Sequence, residues 1–197
     1  MDLNAIIKRT TNILLKPAEE WKVIENENQT KSAVLSGYAL PYIIVIALTS
    51  GIGSMIFSLG FFSVSYVIAT TIVSVIVPVA GIFISSYIIN LLAPGFGSKP
   101  NINNAFKLVV YSYTASFIVS IVTGLLPILI FISVAGLYSM YILWVGFGPM
   151  MKTPEDKKVG YAIVSILIII GVYTALAMTF AFLVATFFLS GVVHLVF

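Results

Sequence analysis

From Ser32 to Ser98 the chain runs 67 residues without an Asp, Glu, Lys or Arg, and that gap limits the fold more than any motif does. A second charge-free run of 44 residues separates Lys107 from Lys152, and the 39 residues after Lys158 hold only His194 as an ionisable side chain of the basic type. A helix needs roughly 20 apolar residues to cross about 30 Å of hydrocarbon. The first gap therefore holds two crossings, the second two and the third one. With 9% charged residues and a mean hydropathy of +1.11, the chain is unlike a soluble domain, in which about 25% of residues are charged. It is equally unlike disordered chains, which are polar.

Turn residues divide the long gaps. SLGFFS (58–63) sets Gly60 between two apolar runs, and GLLP (124–127) pairs a helix-ending Gly with a Pro suited to a first helical turn. The expected fold is all-α and polytopic, with five transmembrane helices near 33–57, 64–93, 104–124, 127–148 and 159–189. Residues 1–32 form an interfacial amphipathic segment ahead of the membrane domain, 33–197. The last run exceeds the bilayer's needs, so tilt or protrusion is expected; a six-span division would require a turn at Gly171 or Gly191. Five crossings put all ten basic residues on one face, which makes the N-terminus cytoplasmic and the C-terminus external. The first apolar run is too long and too late for a cleaved leader, so a retained signal anchor is expected.

The segment before the first span is unlike the rest. LLKPAEEWKVIENEN (14–28) holds four of the seven carboxylates and one of the two tryptophans. Upstream, Leu3, Ile6, Ile7, Thr10, Ile13 and Leu14 share one helical arc, with Lys8, Arg9 and Lys16 off it, as in a helix lying on an anionic leaflet. Pro17 suits the start of a second helix with Glu19 and Glu20 at its positive end. Trp21 is expected at headgroup level, and Asn28 or Thr30 caps the entry to span one. Two uses fit this elbow: fixing the depth of the first span, or recruiting a cytoplasmic partner.

Catalysis finds little material. All carboxylates lie in the N-terminal segment or at Glu155–Asp156, and no Cys is present. A Ser without a neighbouring base is not a nucleophile, and the glycines form no Walker-type phosphate loop. No enzyme activity, metal, cofactor or nucleic-acid partner is expected. For transport, no span carries a mid-membrane ionisable group. Lys107 is read as snorkelling from the first turn of span three, and Pro78, midway along span two, as a plain kink relieved by neighbouring helices, with a break that frees carbonyls as the alternative. Ser112, Ser116, Ser120 and Gly124 recur every fourth residue in span three, as do Ala177, Ala181 and Ala185 in span five and Ser50, Ser54 and Ser58 in span one. Small residues at that spacing bring helices into close contact. A homo-oligomer seam and a Ser-lined conduit are the alternatives. Tyr111 and Tyr113 are read as belt aromatics.

Four stretches together form a pattern. KPAEEWKVI before the first span and NNAFKLVVYSYTASF entering the third, followed by GLYSMYILWVGFGPM and KKVGYAIVSIL, resemble the Yip family of polytopic membrane proteins, named for interaction with Ypt/Rab GTPases. The resemblance spans roughly residues 14–189 and rests most on Pro17, Trp21, Phe106, Tyr111 and Tyr138. It implies five spans and a cytoplasmic N-terminus. Eukaryotic members act in vesicle traffic and carry a longer N-terminal region with an Asp-Leu-Tyr-Gly-Pro signature, which this sequence lacks. The chain looks like the compact prokaryotic branch, for which the plasma membrane is the implied location. The expected role is a scaffold or adaptor that meets lipid headgroups or a membrane or cytoplasmic protein through Lys8, Arg9, Pro17, Trp21, Lys99, Lys107, Lys157 and Lys158. A small transporter or channel is the alternative.

Because the chain contains no cysteine, single-cysteine labelling reads the topology cleanly. Phe62→Cys is expected to react with an impermeant thiol reagent only from the side opposite Lys99→Cys; labelling of both from one side would exclude five crossings.

Overall fold

A computed structural model describes residues 2–57 and 64–193, with side chains as far as Thr186. Ser58, the Gly60 turn, Phe62 and His194 lie outside the described residues. Within them the chain is all-helical. Two short helices, α1 (Leu3–Leu15) and α2 (Pro17–Asn26), precede the first long one. That helix comprises α3 (Lys31–Val34), a π turn (Leu35–Ala39) and α4 (Leu40–Phe57). Then come α5 (Val64–Leu92), α6 (Ile102–Ser112), α7 (Thr114–Leu125), a 3₁₀ stretch (Pro127–Leu137), α8 (Tyr138–Met151) and α9 (Glu155–Val193).

Local chemistry sets these boundaries. The Asp2 carboxylate accepts the Ala5 N–H at 2.7 Å and caps α1. Pro17 disfavours helical backbone at Lys16, so α1 stops and α2 begins, with Glu19 and Glu20 in its first turn. Thr30 caps α3 through the Ala33 N–H. Asn101 does the same for α6 through Asn103 and Asn104. Lys152 closes α8 at a φ of 54°, donating its N–H to the Phe147 carbonyl.

Four helical stretches are long and apolar enough to cross a membrane: Lys31–Phe57, Val64–Phe96, Pro127–Met151 and Glu155–Thr186. The α6–α7 pair, bent by 41°, makes a fifth. Contacts give the directions. Tyr38 meets Thr114 at one level and Gly53 meets Gly124 at another, so α4 and α7 run the same way. Tyr161 reaches Ile89 and Tyr173 reaches Pro78, so α5 and α9 are antiparallel. Asn104 donates to the Met150 carbonyl at 2.9 Å, which seats the start of α6 beside the end of α8. The bent pair therefore runs the height of the bundle rather than returning to the face it left.

Two expected spans differ in detail. The third is not one straight helix. The hydroxyls of Ser112 and Thr114 bond back to the carbonyls of Leu108 and Tyr111, and such back-bonding bends helices. The fourth span opens as 3₁₀ rather than α, with Leu129 off helical geometry at φ −86°, ψ 21°. At about 2.0 Å per residue a 3₁₀ stretch gains more height than an α-helix of equal length.

Glycine allows the closest crossing. A Cβ placed on Gly53 would lie 2.0 Å from the Gly124 carbonyl oxygen, and one on Gly124 would lie 2.6 Å from Ser50 Oγ. Lipid supplies no hydrophobic drive between helices, so such contact depends on small residues. Gly53→Ala is expected to destabilise the bundle by about 1–3 kcal/mol, seen as a lower melting midpoint in detergent. Gly171→Ala, where nothing lies within 4 Å, is expected to leave the midpoint unchanged or raise it. Equal effects at the two positions would refute the crossing.

Candidate functional site

The end of the bundle that gathers the charges is closed by α1 and α2. Trp21 is enclosed by the protein rather than turned outward to the surroundings. It is 0% exposed, its indole N–H donates to the Ile142 carbonyl at 3.0 Å, and its ring meets Tyr111 edge-on at 6.4 Å. Gly146 makes the space, since a Cβ there would fall 2.6 Å from both the indole and Leu108. Pro17 is buried with it. Tyr111 is a core residue and not a belt aromatic; Tyr113 is half-buried at the α6–α7 bend. Ile6 and Ile13 face the protein, leaving Leu3 and Ile7 exposed. The expected apolar arc of α1 is thus shared between bundle and surroundings.

Beside Trp21 lies a charged cluster. Arg9, 9% exposed, pairs with Glu20 and Glu27 and sits 5.5 Å above the Tyr111 ring. Burial opposes its charge, but the hydrogen bond and charge of Glu27, with Tyr111 and Glu20, outweigh that and hold its pKa above the ordinary value. Asn12 donates to the second Glu20 oxygen at 2.9 Å. Lys107 does not snorkel outward: it is 4% exposed and its ammonium donates to the carbonyls of Ile24 and Glu27. Those carbonyls close the C-terminal end of α2, where a cation is favoured. The cluster counts two cations against two carboxylates and is neutral overall.

The connecting loops join the same surface. The Lys99 N–H donates to the Met151 carbonyl at 2.9 Å, and Ser98 donates to Thr153 at 2.8 Å. Lys152 pairs with Glu25. Lys158 lies 3.4 Å from Glu155 and 5.1 Å from the Trp144 ring centroid. The side chains of Lys8, Lys99 and Lys157 are exposed. A polar cleft of about 350 Å³ opens between Glu27, Gln29, Asn101, Asn104 and Lys107. Sequence reading missed the chain that ties α1 to the first span, in which the Tyr38 hydroxyl meets Thr10 at 3.2 Å and Thr114 at 2.8 Å. The π turn places Tyr38 inward, and nothing local in the sequence marks it.

The remaining candidates fall in two places. Ser112 bonds within its own helix, and Ser116 bonds to the Gly136 carbonyl and to Ser139 at 3.2 and 2.8 Å. These serines line a void of about 80 Å³. Gly124, at the far end of the stripe, packs on α4, and Ser120 between them is half-buried. Pro78 and the stripe Ala177, Ala181 and Ala185 meet along a groove of about 440 Å³ between α5 and α9. Among the described residues, no three His, Cys, Asp or Glu come close enough together to hold a metal.

The sequence model of one family, described as the Yip1 domain, matches residues 11–177. No curated protein and no solved structure matches the chain. Within that matched span, Trp21→Ala is expected to cost about 3–5 kcal/mol, measured as loss of folded protein on heating in detergent. Arg9→Ala is expected to cost a similar amount by stranding buried carboxylates, with part of the loss recovered in Arg9→Met combined with Glu20→Gln and Glu27→Gln. Full stability in Trp21→Ala would return the indole to the lipid interface.

Proposed function

From the premise that this chain belongs to the Yip1 domain family, we propose that it is a non-enzymatic integral membrane scaffold or adaptor, whose basic cytoplasmic end meets anionic lipid headgroups or a protein partner. A prokaryotic plasma membrane is the location that goes with this reading. The supporting observation is the division among its cations. Arg9 and Lys107 are spent inside the protein, whereas Lys8, Lys99 and Lys157 display their charge on the same end. Exposed ammonium groups near a membrane surface attract anionic headgroups by about 1 kcal/mol each. The exposed Leu3, Ile7, Leu15 and Val23 on α1 and α2 add apolar contact area beside them. A homo-oligomer would fill the groove that the exposed alanine stripe of α9 lines with α5.

The transport alternative draws no support from Ser116, whose hydroxyl already has protein partners.

The test replaces Lys8, Lys99 and Lys157 together by Gln. Wild-type protein is expected to retain anionic over zwitterionic phospholipid in native mass spectrometry, or to capture a partner that high salt releases. The triple variant should lose that preference at an unchanged melting midpoint. Identical lipid retention and identical captured partners in both proteins would end the proposal.

A further inference from the structure

Helices α5 and α9 are antiparallel, and two tyrosines fix their register. The Tyr161 hydroxyl donates to the Ile89 carbonyl, and the Tyr173 hydroxyl donates to the Pro78 carbonyl at 3.3 Å. One turn onward from Tyr161 along α9 is Ser165, and one turn back from Ile89 along α5 is Ser85. The register therefore sets the two serines level with each other, between the two tyrosine contacts. Both are 0% exposed, and neither hydroxyl has a hydrogen-bond partner in the protein.

That combination is unusual in an apolar bundle. A serine in a helix ordinarily bonds back to a carbonyl of the preceding turn, as Ser86 does to Ile82 and Ser112 to Leu108, both at 2.6 Å. Ser85 and Ser165 forgo that bond. Nor do they bond each other. An unpaired hydroxyl in a hydrocarbon surround is strongly disfavoured. Toward the charged end, the side-chain oxygen of Asn90 is likewise buried without a partner. Toward the other end, Pro78 removes one N–H from the α5 ladder, and the groove lined by Ser74, Pro78 and Ala177 begins.

The geometry points to a binding site in the α5–α9 seam for a small neutral molecule that both donates and accepts hydrogen bonds, water being the smallest, held between Ser85 and Ser165. The tyrosine contacts close it on both sides: Tyr161 toward the charged end, and Tyr173 toward the groove. A buried water needs two to four polar partners, and the serines supply two. The site rests on these hydroxyls and not on the lysines of the scaffold reading, so either can fail alone. It also moves the place where any polar path would run from the third span to this seam.

A double-substitution cycle tests it on the full chain in detergent. If one molecule bridges the pair, Ser85→Ala and Ser165→Ala each lower the melting midpoint by about 2–4 °C, and the double variant falls no further than the worse single. Ser86→Ala, which removes a hydroxyl already paired within its helix, should show no coupling to Ser165→Ala. Losses that simply add, or a single variant that melts higher, would overturn the site. A structure of the wild type in a lipid nanodisc supplies the independent reading: density between the two serine oxygens supports the site, and a dry contact removes it.

Discussion

Hydrocarbon offers no partner to a polar group, and the rest of this structure follows from that. Five apolar stretches become helices because only there does each backbone group find a bond inside its own segment. The charged residues have no place among them and collect at one end. The end cannot be left open, however, because α6 carries Lys107 into the packed interior. The α1–α2 hairpin answers this: its last carbonyls receive the Lys107 ammonium, and its carboxylates, buried Glu20 and half-buried Glu27, hold its own Arg9. Two cations and two carboxylates balance there, with Arg9 Nε and one Glu27 oxygen left without a hydrogen-bond partner. Such a cluster adds little net stability over an apolar equivalent, yet losing one member leaves an uncompensated charge. Its effect is to fix one docking position for the hairpin.

Close helix approach is the second consequence. Since lipid tails are as apolar as leucine, contact between spans depends on shape. Where α4 crosses α7, Gly53 and Gly124 bring backbone against backbone; where Trp21 enters between α6 and α8, Gly146 gives way to the indole. The Ser112–Gly124 stripe is divided by the bend at Tyr113. Its first part bonds within α6 and to the 3₁₀ stretch, and its last residue packs on α4. A continuous Ser-lined face along one straight helix does not form.

The spans and the gathering of charge were legible in the sequence because run length and charge position are local properties. Pro17 and Thr30 act within a turn or two of themselves and were readable for the same reason. Trp21 was not. An indole at the start of a membrane domain suits the headgroup level equally well, and the glycine that admits it lies at position 146. Lys107 looks like a snorkelling lysine until its acceptors, the carbonyls of Ile24 and Glu27, are seen to come from another helix. The break at Tyr113 depends on hydroxyls that back-bond at one position and not at another. Ser85 and Ser86, adjacent in sequence and opposite in pairing, show how little residue type alone decides.

The hairpin's rigidity narrows the ways this end can work. Releasing it would withdraw Trp21 from its slot, break the Ile142 hydrogen bond and leave the buried Lys107 ammonium without the Ile24 and Glu27 carbonyls. The α5–α6 and α8–α9 loops join the same end, through the Lys99 N–H to the Met151 carbonyl and through Lys152 to Glu25 of α2. A free arm that folds onto its target is therefore a poor description. Under the proposed scaffold role, a partner or membrane surface would meet a preformed face, on which the outward residues Leu3 and Ile7 are held in fixed relation by the inward Ile6 and Ile13. Preformed surfaces lose less conformational entropy on binding. In that proposed role the side chains that anchor the cap would act on binding indirectly, by holding still the ones that make it.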